Sequence, residues 1–374
     1  SEDNLLTLLD SGKIDYVIST SAKGRDPRAD SVKMRRHAVE RDIPCLTSLD
    51  TANAIADCLS SNYNVNNVEL VDINKLRDTR AKLAFSKMQC AGNDFIVFNA
   101  IDQVVENPEG LSVRLCNRRK GIGADSLVMV SLSDKADAAM RIFNQDGSEG
   151  KMAGNAIRCV AKYLFDNNVN GIADMIKKAD EHSANMTIET EAGVKELTLY
   201  MQNGKVSSVK VDMGKPEFTP ANIPTRIQIP EGKEAIVNAP INVEGIDYSA
   251  TVLSVGNPHC VVFSGFVDKI DVARIGPLFE NHRAFPSRVN AEFVRVVGRN
   301  ELKVRTWERG NGETPACGTG ACAAAIAAVL NGHCPMNEDI TVKVKGGELI
   351  VNYTGETVYL TGSAELVYEG LIEI

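Results

Sequence analysis

Cys317 stands directly ahead of Gly318-Thr319-Gly320 and a long apolar run, which places a thiol at a predicted helix start. The first N–H groups of a helix have no partner inside it, and with the helix dipole they favour negative charge. A cysteine there has its thiolate favoured, and a thiolate can take a proton from a carbon acid. The two glycines let a ligand approach the backbone closely. Glu308 and Arg309, just upstream, supply a charged pair in which Arg309 can clamp a carboxylate. A small buried thiol that only packs is the plainer use of the same residue.

The chain repeats this arrangement at a constant shift of 164 residues. Gly92-Asn93 recurs as Gly256-Asn257, Arg119 as Arg283, and Val130 as Val294. Arg141 matches Arg305, Glu149 matches Glu313, and Gly154 matches Gly318. Under this shift Ala153 falls on Cys317. Two matching half-sites suit a reaction that treats two faces of a substrate alike, and here one half lacks its sulfur.

Other polar residues fall at matching places. Asn144 maps onto Glu308, Ser126 onto Asn290, and Asn155 onto Thr319. Such short side chains can hold a zwitterion through several hydrogen bonds, although residues 144–148 also read as an ordinary turn. His259, two residues after Asn257, can bind a carboxylate or poise a thiol, or sit satisfied in the core. The expected substrate contacts are Asn93, Ser126, Asn144, Gly154, Asn155, Asn257, Asn290, Glu308, Arg309, Gly318 and Thr319. Cys317, His259, Glu308 and position 153 are the candidates for proton transfer.

These residues need elements to carry them. With 374 residues, two or three domains are expected. Residues 1–82 alternate short strands (14–18, 43–46, 68–71) with helices (30–40, 48–59), the order of a parallel sheet. The stretch 72–82 is polar and reads as a linker. Two later blocks, 83–217 and 218–374, share one grammar of strands, a Gly-rich loop and a very apolar helix starting at Gly154 or Gly318. The run 321–330 is apolar on every side, so that helix is buried all round. Strands such as 341–345 and 357–360 must wrap it; a helix between two stacked sheets is the alternative.

Composition narrows the classes. The net charge of −8, with no dominant basic block, argues against a nucleic-acid surface. The basic run 25–41 is interleaved with acids and reads as a solvated helix face. The nine cysteines form no CxxC pair, and the five histidines form no metal-binding motif. A reduced, cytoplasmic protein without a metal is expected. The longest apolar run is about ten residues, too short to span a membrane.

The motifs Lys87-Met-Gln-Cys-Ala-Gly-Asn-Asp-Phe95, Gly121-Ile-Gly-Ala-Asp125, Asn144-Gln-Asp-Gly-Ser148, Gly154-Asn155, Gly256-Asn-Pro-His259, Arg288-Val-Asn290 and residues 308–320 lie in order over residues 84–374. Together they resemble diaminopimelate epimerase. The resemblance implies an α/β fold of two pseudo-symmetric halves, each a sheet rolled around a central helix, with the pocket in the cleft between them. It implies a small-molecule substrate, LL- or meso-diaminopimelate, and no cofactor. It implies two cysteines: one removes the α-proton on one face and the other reprotonates the opposite face. Cys317 matches one, and Ala153 stands at the other. Smaller departures are Ser126, Cys90, Ala91 and Asn311. A homodimer is one arrangement open to such a chain, and the sequence does not decide it.

Residues 12–20, 35–44 and 47–56 are similar to the end of the carbamoyl phosphate synthetase large subunit, in its methylglyoxal-synthase-like allosteric domain. The resemblance covers only the latter part of that domain. It leaves Ser19, Thr20 and Ser21 as candidate phosphate contacts. Three readings follow for the whole chain. It is an epimerase scaffold disabled at one face, a one-base enzyme using Cys317 alone, or a ligand-binding regulatory fusion.

Overall fold

The computed structural model describes residues 5–19, 30–60, 82–176 and 178–374. The chain divides into two compact units, Ser1–Arg80 and Ala81–Ile374. In the first, strands Val17–Ile18 and Cys45–Leu46 pair in parallel. Helices Asp30–Glu40 and Leu49–Ser60 follow the strands as the alternation predicts, and a further helix, Leu5–Asp10, precedes them. Leu9, Val17 and Ala38 make a small core. The basic helix is solvated and laced with acids, with Arg36 Nε 3.0 Å from Glu40 and His37 Nε2 3.0 Å from Asp10. The strand expected at 68–71, and Thr20 and Ser21, lie outside the described residues.

The second unit carries the duplication. Helix Gly154–Asp166 shifts by 164 residues onto helix Gly318–Leu330, residue for residue. The strand pairs shift with it. Phe95 opposes Ser126 in one parallel ladder and His259 opposes Asn290 in the other. Even an ion pair is repeated: Arg141 Nε donates to Glu149 at 2.7 Å, and Arg305 Nε to Glu313 at 2.8 Å. After the helices the shift changes. The parallel ladders that follow pair Ala138 with Ile188 and Leu302 with Val342. Ile188 and Val342 are 154 residues apart, so the first half carries ten more residues here. The longer connection includes the turn Val169–Gly171 and the short helix Ile172–Met175.

Each half wraps its helix in strands, because the helices leave no other option. Residues 321–328 are all fully buried, as their unbroken apolar pattern demands. Asn331 ends that helix by donating from Nδ2 to Ala327 O at 2.7 Å, and Gly332 follows at φ +72°. Both helices belong to one continuous core with the surrounding strands. The halves are stitched by two antiparallel ladders: Lys205–Gly214 pairs with Val358–Ser363, and the last strand, Glu365–Glu373, pairs with Lys82–Cys90. Among the described residues no helix is long and apolar enough to cross a membrane.

Because the second central helix touches core on all sides, a cavity in it has nowhere to collapse. Ile326→Ala is expected to lower stability by about 2–5 kcal/mol, measured by chemical unfolding, while a change at exposed Val296 stays within about 0.5 kcal/mol.

Candidate active site at two facing helix starts

The two central helices meet end to end at their N-termini. A methyl placed on Gly318 would lie 3.4 Å from Asn155 Oδ1 and 3.0 Å from Leu360 Cδ2. One on Gly154 would lie 3.3 Å from the same Leu360 atom. Neither position has room for a side chain, which is why both start with glycine. The residues ahead of them have nearly the same backbone, φ −136° and ψ 120° at Ala153 against φ −116° and ψ 113° at Cys317. The difference is chemical. Cys317 Sγ accepts from Gly320 N at 3.3 Å, whereas Ala153 makes no side-chain cap.

In the second half the polar groups converge on Cys317. Thr319 Oγ1 lies 3.4 Å from its sulfur. Glu308, half-buried, accepts a hydrogen bond from Thr314 Oγ1. Burial pushes the Glu308 carboxyl up, against hydrogen bonds from Thr314 and Asn311 that pull it down. His259 is fully buried between Asn257 Oδ1 and Glu292 Oε1, each 2.8 Å from one ring nitrogen. With Nε2–H donating to Asn257, the imidazole and the Glu292 carboxyl hold one proton between them. Burial raises Glu292, and the charge of His259 opposes that rise. Asn290 is held on both sides: its Nδ2 donates to Pro258 O at 2.9 Å, and its Oδ1 accepts from Arg309 N at 2.8 Å.

In the first half the network is different. Asn155 Nδ2 donates to Asn93 Oδ1 at 3.2 Å, and Asn93 Nδ2 donates to Asp125. Ser126 is buried and opposes Asn144 in an antiparallel ladder. Asn144 is exposed, and its amide is turned to Ser148 Oγ at 3.0 Å. It serves its own turn, the plainer of its two expected roles.

One expectation fails on physical grounds. Cys317 is not thiolate-rich in this state. Its burial, reinforced by the nearby carboxylates of Glu308 and Glu292, pushes the thiol well above the ordinary value, and the bonds from Thr319 and Gly320 only partly offset that. The favourable helix end is real, but desolvation is larger. Arg309, read as a carboxylate clamp, is held by backbone here. Its guanidinium donates to Ser287 O at 3.0 Å, and its backbone serves Asn290. Sequence reasoning also missed Glu292 and Asp125. A glutamate inside the strand run Asn290-Ala-Glu-Phe293 was the available signal for the first.

The profile of the family described as diaminopimelate epimerase matches residues 85–219 and 251–367. The chain belongs to the diaminopimelate epimerase family. It is 45% identical over 294 residues to the diaminopimelate epimerase of Acetivibrio thermocellus, covering 78% of this chain and 99% of that one. It is 44% identical over 294 residues to that of Methanococcus maripaludis, with 78% and 100% covered. By fold it is similar to a hydroxyproline epimerase from Agrobacterium vitis, with TM-score 0.56 and 14% identity over 78% of this chain and 93% of the other. A probable proline racemase from Agrobacterium radiobacter gives TM-score 0.56 at 17% identity, with 78% and 92% covered. Membership in this epimerase family makes the chain an isomerase scaffold for amino acids.

The raised Cys317 thiol has a direct consequence. Without ligand, alkylation of Cys317 by iodoacetamide should be slow at neutral pH and rise about tenfold per pH unit without levelling off below pH 9. Peptide mass spectrometry across a pH series checks this. A rate that levels off near pH 7 would show a thiolate already present.

Proposed function

We propose that the chain binds diaminopimelate in the cleft between its two halves but does not epimerise it at a measurable rate. The observation that carries this reading is the matched pair of helix starts, alike in backbone and differing by one sulfur. Epimerisation by two bases needs a group on each face that can take or give a proton. Cys317 supplies one, protonated in the unliganded state and so suited to donate to a carbanion. Alanine can do neither, and loss of a general acid or base lowers a rate by about 10²–10⁴. His259 and Glu308 are assigned to adjust the proton on the thiol side. Asn93, Asn155, Asn257, Asn290, Ser126, Thr319 and the helix-start amides of Gly154 and Gly318 are assigned to hold the substrate. Asn144 and Arg309 remain candidate contacts only if ligand binding turns their side chains.

The remaining lines of the reading concern organisation. The two epimerase halves are assigned to 83–217 and 218–374. Residues 1–82 are read as part of a methylglyoxal-synthase-like domain, supported by the parallel strand pair and its alternating helices. The chain is assigned to the cytoplasm, consistent with free thiols at every described cysteine.

Calorimetry with diaminopimelate and a solvent-deuterium assay test the function together. Binding is expected, with no conversion between the LL and meso forms. Robust turnover by purified protein would sink the reading. Deuterium exchange without inversion would favour a one-base enzyme.

Ala153→Cys is expected to raise epimerase activity by at least about 10²-fold. Ala156 stands where the other half has Gly320, at which a methyl would come 3.3 Å from the Cys317 sulfur. The companion variant Ala153→Cys/Ala156→Gly removes that crowding. If both bind substrate normally and both stay inactive, the missing sulfur is not the defect.

A further inference from the structure

Arg158 lies one turn inside the first central helix and is fully buried. Its Nη2 donates to Asn155 Oδ1 at 2.7 Å, while its Nε and Nη1 have no hydrogen-bond partner. A guanidinium is always charged and can only donate. Burying one with two donors empty is costly, and packing alone would favour a methionine. The sulfur of Cys90 responds to this cation, its ionisation resisted by burial but favoured by Cys159 and Arg158. The bond that leads toward the site is the one to Asn155.

From there the polar groups form a chain with a single direction. Arg158 donates to Asn155, Asn155 Nδ2 donates to Asn93 Oδ1 at 3.2 Å, and Asn93 Nδ2 donates to Asp125. Asp125 is held at its far end by Arg118 Nη2 at 2.7 Å. An amide by itself can turn over and exchange its oxygen for its nitrogen. Here neither can. One end of the chain is a pure donor and the other a pure acceptor, so each amide between has one orientation that satisfies both neighbours. Each amide nitrogen keeps a second N–H that the chain does not use, and Asn155 is itself the second residue of a helix.

We propose that Arg158 and Asp125 are positioning residues that fix the amides of Asn93 and Asn155 as hydrogen-bond donors toward a substrate carboxylate. This rests on reading the cleft as a diaminopimelate site. An inverted amide would present a carbonyl oxygen to that carboxylate and repel it. The second half has no such device: Arg158 corresponds to Cys322 and Asp125 to Val289, so amide orientation there depends on His259 and on Pro258 O instead.

Calorimetric titration of the full chain with meso-diaminopimelate, with melting temperature recorded for each variant, tests the proposal. Arg158→Met and Asp125→Asn are each expected to weaken binding about tenfold or more. Arg158→Lys, which keeps a charge and a donor, should fall between parent and Met. Cys90→Ala should bind like the parent. The double variant Arg158→Met/Asp125→Asn should lose less than the product of the single losses, because both ends serve one chain. A purely structural role would lower melting temperatures without that coupling. Should Arg158→Met fail to fold, Arg158→Lys and Asp125→Asn decide the matter alone. A parent that binds, with Asp125→Asn and the Arg158 variants binding equally well, overturns the relay. A parent that binds no diaminopimelate overturns the site reading beneath it.

Discussion

A helix packed on every side confines its polar chemistry to its ends. Every side of helix Gly318–Leu330 is packed, so its free N–H groups at the start are the only backbone donors it can offer. The same holds for Gly154–Asp166 except where Arg158, Lys162 and Tyr163 interrupt it. Placing the two starts against each other, around Leu360, concentrates two sets of unpaired donors in one buried spot. Something negative or electron-rich has to meet them. In one half the Cys317 sulfur takes that part toward Gly320; in the other no side chain does.

The backbone duplication is close, and the polar equipment is not. Strand ladders, helix bounds and the arginine–glutamate pairs repeat at one shift. Behind the second helix start sits a histidine hydrogen-bonded to a buried glutamate; the matching places in the first half hold Phe95 and Val128. The first half instead carries a buried guanidinium and a carboxylate joined through two amides. Symmetric backbones with unlike polar networks suit a substrate whose two reacting faces are mirror-related but whose remaining groups are not.

Much of this was legible in the sequence. The shift of 164 residues located both helix starts and position 153, and the apolar run 321–330 announced a burial that is complete at 321–328 and partial at Val329 and Leu330. What pattern could not supply was magnitude. Glycine-flanked Cys317 at a helix start argues for a thiolate, but the burial that the same apolar run guarantees, with Glu292 brought alongside from a distant strand, reverses the balance. The partners that Arg309 and Asn144 hold here were not legible for a related reason: a backbone carbonyl or a neighbouring hydroxyl is an ever-present competitor for any polar side chain. The change of shift after the helices was hidden because strands tolerate substitution so freely that no single residue marks the extra turn.

Alanine at position 153 is compatible with the whole scaffold, and the reason is energetic. An alanine ahead of a helix gives up one weak N–H to sulfur cap, small beside the apolar core that both helices share with their strands. The chain from Arg158 to Asp125 does not pass through position 153, so the amides keep their directions whether or not a thiol stands there. On the proposed reading, binding and proton transfer are carried by separable groups on the same helix start. A chain of this design can lose the second while keeping the first, with no change in fold to betray it.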